Sequence, residues 1–160
     1  MTDLYFDDFH VGFTITSAGM TVTAAEILEF SRQYAPEAAH LDRHSPAAIE
    51  AGGLTAPLVQ VLATGFRLFV ETRALAAGGE AAAGADECRS VRPVLAGDTL
   101  HSVAEITGAR LLQSRPGMGL LEMRLSVRNQ RGEEVAFLRA KSFMRRAPHL
   151  AAATNKGEPG

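Results

Sequence analysis

A single cysteine, Cys88, stands in 160 residues. It leaves no internal disulfide and no cysteine-built zinc cluster. An excess of either charge is also missing. Sixteen basic residues against 18 acidic ones give a net charge of −2, and nothing in that balance points to nucleic acid. No apolar run approaches the ~20 residues that a membrane-crossing helix needs. The opening MTDLYFDDFH carries three aspartates and no basic-then-apolar stretch, which speaks against a secretory signal. What is there is ordinary for a globular chain: 46% hydrophobic and 21% charged residues, enough apolar surface for a core and too much for disorder. These absences predict one soluble domain, in the cytoplasm, with neither nucleic acid nor membrane as a partner.

Residues 4–22 alternate in polarity and read as a strand or two. Thr23-Ala24-Ala25-Glu26 is a capping box that starts a helix. Ile27, Phe30 and Tyr34 share one helical face, and Pro36 ends the element. Ser45-Pro46 opens a short helix that Gly52-Gly53 closes. Pro57 begins a third, PLVQVLATGFRLFVETRALA, apolar over much of its circumference and expected to be largely buried. Gly65 inside it implies close approach of another backbone, since glycine there costs about 1 kcal/mol relative to alanine. Residues 76–85, AAGGEAAAGA, read as a mobile low-complexity connection.

Strands follow over 87–95, 98–113, 119–129 and 134–145. Leu121, Met123, Leu125 and Val127 point inward between Glu122, Arg124 and Ser126. Tight turns between long strands predict an antiparallel meander. The layout is α+β: a curved antiparallel sheet wrapped around a long central helix. Its open edges predict pairing into a homodimer or a higher even oligomer. Residues 1–147 form the domain, and 148–160 read as a disordered tail.

The densest chemical cluster is Tyr34-Ala35-Pro36-Glu37-Ala38-Ala39-His40-Leu41-Asp42-Arg43-His44, in a loop between helices. Histidine is the residue type whose proton exchange suits neutral pH, so His40 is the natural general acid/base. Glu37 or Asp42 could orient it or share the proton transfer. A solvated, hydrogen-bonded turn would use the same residues. His40, Asp42 and His44 also have a ligand-like spacing, but such a short pattern is unspecific and no metal is expected. Gly52-Gly53-Leu54-Thr55-Ala56-Pro57-Leu58 sets a helix N-terminus after a glycine turn, where amides can polarise a carbonyl. It also reads as a plain helix start. Arg139, Lys141, Arg145 and Arg146 could meet phosphates or form a solvated sheet edge.

Three segments together resemble the MaoC-like dehydratase family of hot-dog proteins, over roughly residues 5–146. They are Tyr34-x-Pro36-x-x-x-His40-x-Asp42, then Gly52-Gly53-Leu54-Thr55-Ala56 before the long helix, then Arg92-Pro93-Val94-x-Ala96-Gly97-Asp98-Thr99-Leu100 with the meander ending Asn129-Gln130-x-Gly132-Glu133. The resemblance implies water addition to, or removal from, a 2-enoyl thioester. It implies an aspartate–histidine pair and a helix-start amide on the thioester carbonyl. No cofactor is implied; coenzyme A comes only as part of an acyl-CoA substrate.

His40 matches the family histidine. Five residues earlier, where the family has its aspartate, stands Ala35, which can neither take nor give a proton. Glu37 is gained two residues on. The family's Ala-His-Gly or Ala-Ser-Gly is Ala56-Pro57-Leu58; proline has no amide hydrogen. The expected site is therefore His40 and Glu37 for acid/base work, with Gly53, Thr55, Pro57 and Leu58 around the ligand. The alternative is a catalytically impaired hot-dog protein that binds an acyl thioester or supports a partner subunit. A thioesterase would need a carboxylate near the central helix, where only Glu50 and Glu71 offer one.

Overall fold

The computed structural model describes residues 3–154. After a short 3-10 turn at Phe6–Asp8, the elements run β1 (Thr14–Thr16), β2 (Met20–Thr21), α1 (Ala24–Tyr34), α2 (Ala38–Leu41), α3 (Pro46–Ala51), α4 (Leu58–Glu71), β3 (Gly79–Ser90), β4 (Thr99–Leu111), β5 (Met118–Arg128), β6 (Glu134–Arg145) and α5 (Pro148–Thr154). The sheet order is β1-β4-β5-β6-β3, all antiparallel, with β2 also on β4. The predicted meander is β4-β5-β6, and α4 packs across it.

The local signals act as expected. The Thr23 hydroxyl accepts the Glu26 amide, and the Glu26 carboxylate accepts from the Thr23 amide and hydroxyl. Those bonds hold the Glu26 carboxyl below its ordinary range. Ser45 caps α3, and Gly52 closes it in the left-handed region at φ 90°. Leu121, Met123, Leu125 and Val127 are buried on β5. Val61 and Leu68 of α4 meet Val127, Val94 and Leu100 in one core cluster, and Phe69 meets Phe6, Ile106 and Leu121 in a second. Ser102 donates its hydroxyl to the Gly65 carbonyl at 2.6 Å, and a β-carbon at Gly65 would meet the Val127 side chain, so what comes close to this glycine is side chains of the sheet and not another backbone.

Four expectations change. Residues 76–85 are no free connection, because from Gly79 they enter β3. Small side chains lend this strand no apolar signal. Its backbone pairs with β6, and ion pairs stitch the outer face: Glu80–Arg145 at 4.0 Å, Asp86–Lys141 at 2.8 Å and Glu87–Arg139 at 3.1 Å. The basic set on the last strand is thus used up in cross-strand pairs, and Arg146 pairs with Asp7 at 2.7 Å.

The second change concerns α4, which is not buried all round. Val59, Phe66 and Val70 are about half exposed along one open face. On α1, Ile27 is buried, but Tyr34 at its end is exposed and Ser31 takes the inner position instead. Finally, residues 148–154 of the expected tail are helical, with Pro148 at the first position and the Ala151 amide on the Ala147 carbonyl. Residues 155–160 lie outside the described residues.

One ion pair carries a measurable pH signature. Arg124 grips Glu134 with two bonds, at 2.6 and 2.8 Å, and lies 4.1 Å from the centre of the Phe137 ring. The Arg124 bond holds the Glu134 carboxyl below its ordinary range. A depressed carboxyl stabilises the fold above the unfolded-state pKa, and the gain fades as pH falls through the folded one. Glu134→Gln is therefore expected to cost about 1 kcal/mol at pH 7 and almost nothing at pH 2. Denaturant melts of both chains at the two pH values check this; an equal gap at both would refute it.

Candidate active site

The residues expected to act gather where α1, α2 and the start of α4 meet. Pro36 stops α1 at Ala35, and the chain turns back through α2, which carries His40. Glu37 sits at the entrance of α2, its carbonyl accepting the His40 amide at 3.0 Å. The segment Thr55–Ala56 runs beside this loop and beside the turn after β3. The Thr55 amide binds the Ala39 carbonyl at 3.3 Å, and the Ala56 amide binds the Val94 carbonyl at 2.8 Å. Two parts of the chain far apart in sequence are thereby fastened into one frame.

His40 is held through one ring nitrogen. Its Nδ1 lies 2.8 Å from the Thr55 carbonyl oxygen and 3.1 Å from the Thr55 hydroxyl. A carbonyl only accepts, so Nδ1 carries the proton and donates. The Thr55 hydroxyl gives its own proton to the Ala39 carbonyl at 3.2 Å. In the neutral ring the lone pair therefore sits on Nε2, in a half-buried side chain. That is the tautomer of a general base. Thr55, expected at the ligand, is buried and fixes His40 from behind.

The acids part ways. Asp42 accepts the His44 amide at 2.8 Å and serves the turn, not His40. Glu37 is exposed, and its carboxylate makes no hydrogen bond to the His40 ring or to any other described residue. Among the described residues, no group of three or more His, Cys, Asp or Glu gathers to hold a metal ion.

At the start of α4, Pro57 takes the cap position with an extended backbone at ψ 149°, one place earlier than a first helical residue. Its carbonyl accepts the Gln60 and Val61 amides. The amides of Leu58 and Val59 are then the first-turn donors without an intrahelical acceptor. Gly53, at φ 156°, lies in the turn before them against Leu95. Glu71, the carboxylate on α4, pairs with Arg67 at 2.8 Å at the far end of the helix. Glu50, on α3, is exposed. Neither stands at the His40 loop.

Sequence reasoning passed over Gln60. It is 7% exposed and its Oε1 has no hydrogen-bond partner among the described residues. The available signal was a polar residue inside the apolar stretch from Leu58 to Val61.

Residues 9–138 match the family model described as the dehydratase domain region of FAS1-like proteins. A MaoC-like dehydratase from Rhodospirillum rubrum is 31% identical, with 91% of this chain and 99% of that one covered and a TM-score of 0.77. The uncharacterized protein YdeM of Bacillus subtilis is 25% identical over 131 residues, 81% of this chain and 90% of that protein. The R-hydratase PhaJ1 from Pseudomonas aeruginosa, at 20% identity and a TM-score of 0.65 over 91% of this chain and 88% of that one, shares the fold.

Proposed function

The chain belongs to the MaoC-like dehydratase family, as a single hot-dog domain, and from that premise we propose that it adds water to, or removes it from, a 2-enoyl-CoA thioester. The observation that carries this reading is the His40 ring, donating through Nδ1 to Thr55 and keeping its Nε2 lone pair. In hydration, Nε2 takes a proton from water as the water oxygen bonds to C3 of the enoyl group. The double-bond electrons move toward C2 and the thioester carbonyl. The Leu58 amide donates to the carbonyl oxygen as it gains negative charge. C2 then receives a proton from a second water held by the Glu37 carboxylate, and the His40 imidazolium returns its proton to the hydroxide left behind, which restores the neutral ring. Glu37 suits that part because no bond ties its carboxylate elsewhere. Dehydration runs the same steps backwards, and the reaction class is that of a hydro-lyase. No cofactor takes part beyond the coenzyme A of the substrate.

The working unit in this proposal is a homodimer in the cytoplasm. One side of β3 has no strand beside it, and the open face of α4 with Val59, Phe66 and Val70 runs along the molecule. A second copy would cover both.

The test is loss of enoyl absorbance with a short trans-2-enoyl-CoA. Turnover by the native chain is expected, with a drop of about tenfold in Glu37→Gln, the low side of an acid/base contribution because water relays the proton. A native chain with no turnover would overturn the hydratase reading. It would favour the alternative, a protein that holds an acyl thioester without converting it. Full activity in Glu37→Gln would remove Glu37 from the mechanism.

A further inference from the structure

Every polar atom of Thr55 is turned to Ala39 and His40. Its amide and its hydroxyl both donate to the Ala39 carbonyl, at 3.3 and 3.2 Å. Its carbonyl oxygen and the same hydroxyl oxygen both accept from His40 Nδ1, at 2.8 and 3.1 Å. The residues on either side are fixed to the core. The Ala96 amide donates to the Leu54 carbonyl at 3.1 Å, and the Ala56 amide to the Val94 carbonyl at 2.8 Å. Leu54, Thr55, Ala56 and Val94 are all buried. By contrast, α2 has four residues and buries none of them. A helix that short has no stability of its own, so the orientation of His40 is set from Thr55.

The carbonyl and the hydroxyl differ in what they fix. Any residue at position 55 offers a carbonyl, and a single acceptor leaves a planar ring free to rock about that bond. The hydroxyl supplies a second point. A hydroxyl can donate or accept; here its hydrogen is given to Ala39, so its oxygen faces Nδ1 as an acceptor. It thereby bridges the His40 ring to the carbonyl of the residue before it. Main chain and ring are braced against one side chain, and the swing of the ring is stopped. Both oxygens still accept when the ring becomes an imidazolium, so nothing on this side rearranges while Nε2 takes its proton. A fixed aim matters to a base, because a displacement of about 1 Å costs up to ~10²-fold in rate.

We infer that the Thr55 hydroxyl is a positioning group for catalysis: it touches no reacting atom and acts through His40. The inference rests on the hydratase reading above, in which Nε2 of His40 takes the proton from water. It accounts for a polar side chain in a place that packing alone would give to an aliphatic one, among Leu54, Ala56 and Val94. It also answers how His40 is aimed with no carboxylate on Nδ1. Asp42 is taken by the His44 amide, and Glu37 makes no bond to the ring.

The test is Thr55→Val, which exchanges the hydroxyl for a methyl and leaves no buried group without a partner. The Ala39 carbonyl keeps the amide of residue 55, and Nδ1 keeps its carbonyl. Steady-state kinetics with a short trans-2-enoyl-CoA, thermal melts and NMR of the His40 ring nitrogens are read on the same samples. kcat is expected to fall about tenfold with KM unchanged, the mark of an interaction that counts only in the transition state. The melting temperature should move little. The ring signals, sharp in the native chain, should broaden as the ring moves. Thr55→Ser keeps the hydroxyl and should recover most of the rate and the sharp signals. Thr55→Ala deletes the hydroxyl without adding a methyl and is read the same way if the valine prevents folding. Native kcat without the hydroxyl overturns the inference and leaves the hydratase reading standing. So does a rate that falls only with the melting temperature while the ring signals stay sharp, because that is a structural role. A native chain without turnover overturns the hydratase reading and the positioning role together.

Discussion

Replacing His40 by alanine is expected to lower the hydration rate by about 10²–10⁴-fold, and Ala35→Asp is expected to raise it by a factor in the same range. Both follow from the geometry of one loop. His40 is the ring whose free nitrogen is fixed by Thr55, so its loss removes the group that takes the proton from water. Ala35 ends α1 five residues before it, half-buried, with its amide on the Ser31 carbonyl at 3.0 Å. An aspartate there would bring a second proton-transfer group directly onto the loop. The stability cost is small by comparison. A carboxylate at a helix C-terminus loses about 0.3–1 kcal/mol to the helix dipole, against several kcal/mol gained in the barrier. Steady-state hydration of a short trans-2-enoyl-CoA by the three chains decides it. Unchanged turnover in His40→Ala would take the base away from this loop. An Ala35→Asp chain no faster than native would mean that position 35 does not face the reacting atoms.

The second large effect concerns the fold. Gly65→Val is expected to destabilise the protein by about 3 kcal/mol or more, a serious part of the ~5–15 kcal/mol that holds a domain of this kind. A β-carbon at Gly65 would run into the Val127 side chain, which is fully buried on β5, and would lie 3.4 Å from the Ser102 hydroxyl. The Ser102 bond to the Gly65 carbonyl leaves the helix no freedom to lift away without breaking it. Valine recovers only part of the helix preference that alanine would bring. Urea unfolding should show a lower midpoint with an unchanged slope. Val127→Ala, which opens the facing space, should recover part of the loss in the double variant. A native midpoint in Gly65→Val would mean that α4 rides higher above the sheet.

The elements whose sequences state their own boundaries were readable in advance. Thr23 with Glu26, Ser45-Pro46 with Gly52, and the alternation from Leu121 to Val127 each describe a local physical arrangement that the folded chain keeps. Gly65 announced a contact because glycine inside a helix has a cost that something must offset. Only the end of β3 was readable, as the start of the strand expected over 87–95, since the alanines and glycines of 79–86 carry no periodic apolar signal. Its strand is imposed by the β6 backbone and by acids facing Arg139, Lys141 and Arg145, none of them neighbours in sequence. The open face of α4 was missed for a related reason: Val59, Phe66 and Val70 look like core residues until it is known which sides the sheet covers.

The site divides the same way. His40 stood out by residue type, whereas its tautomer depends on Thr55, fifteen residues on. Asp42 looked as suitable as Glu37 until the His44 amide was seen to occupy it.

The sheet order has a consequence for how the molecule assembles in time. The neighbouring strands β4, β5 and β6 are joined by short turns, so their ladders close small loops and can form early. The two outer strands cannot. Thr14 must find Glu105, and Gly79 must find Met144, each after a long search through chain that is still loose. A topology so dependent on distant pairings folds in milliseconds to seconds, not microseconds. Until β3 docks, the outer edge of β6 keeps its backbone N–H and C=O groups unpaired. Newly made chains therefore pass through a sticky interval, and β3 is the segment whose arrival ends it.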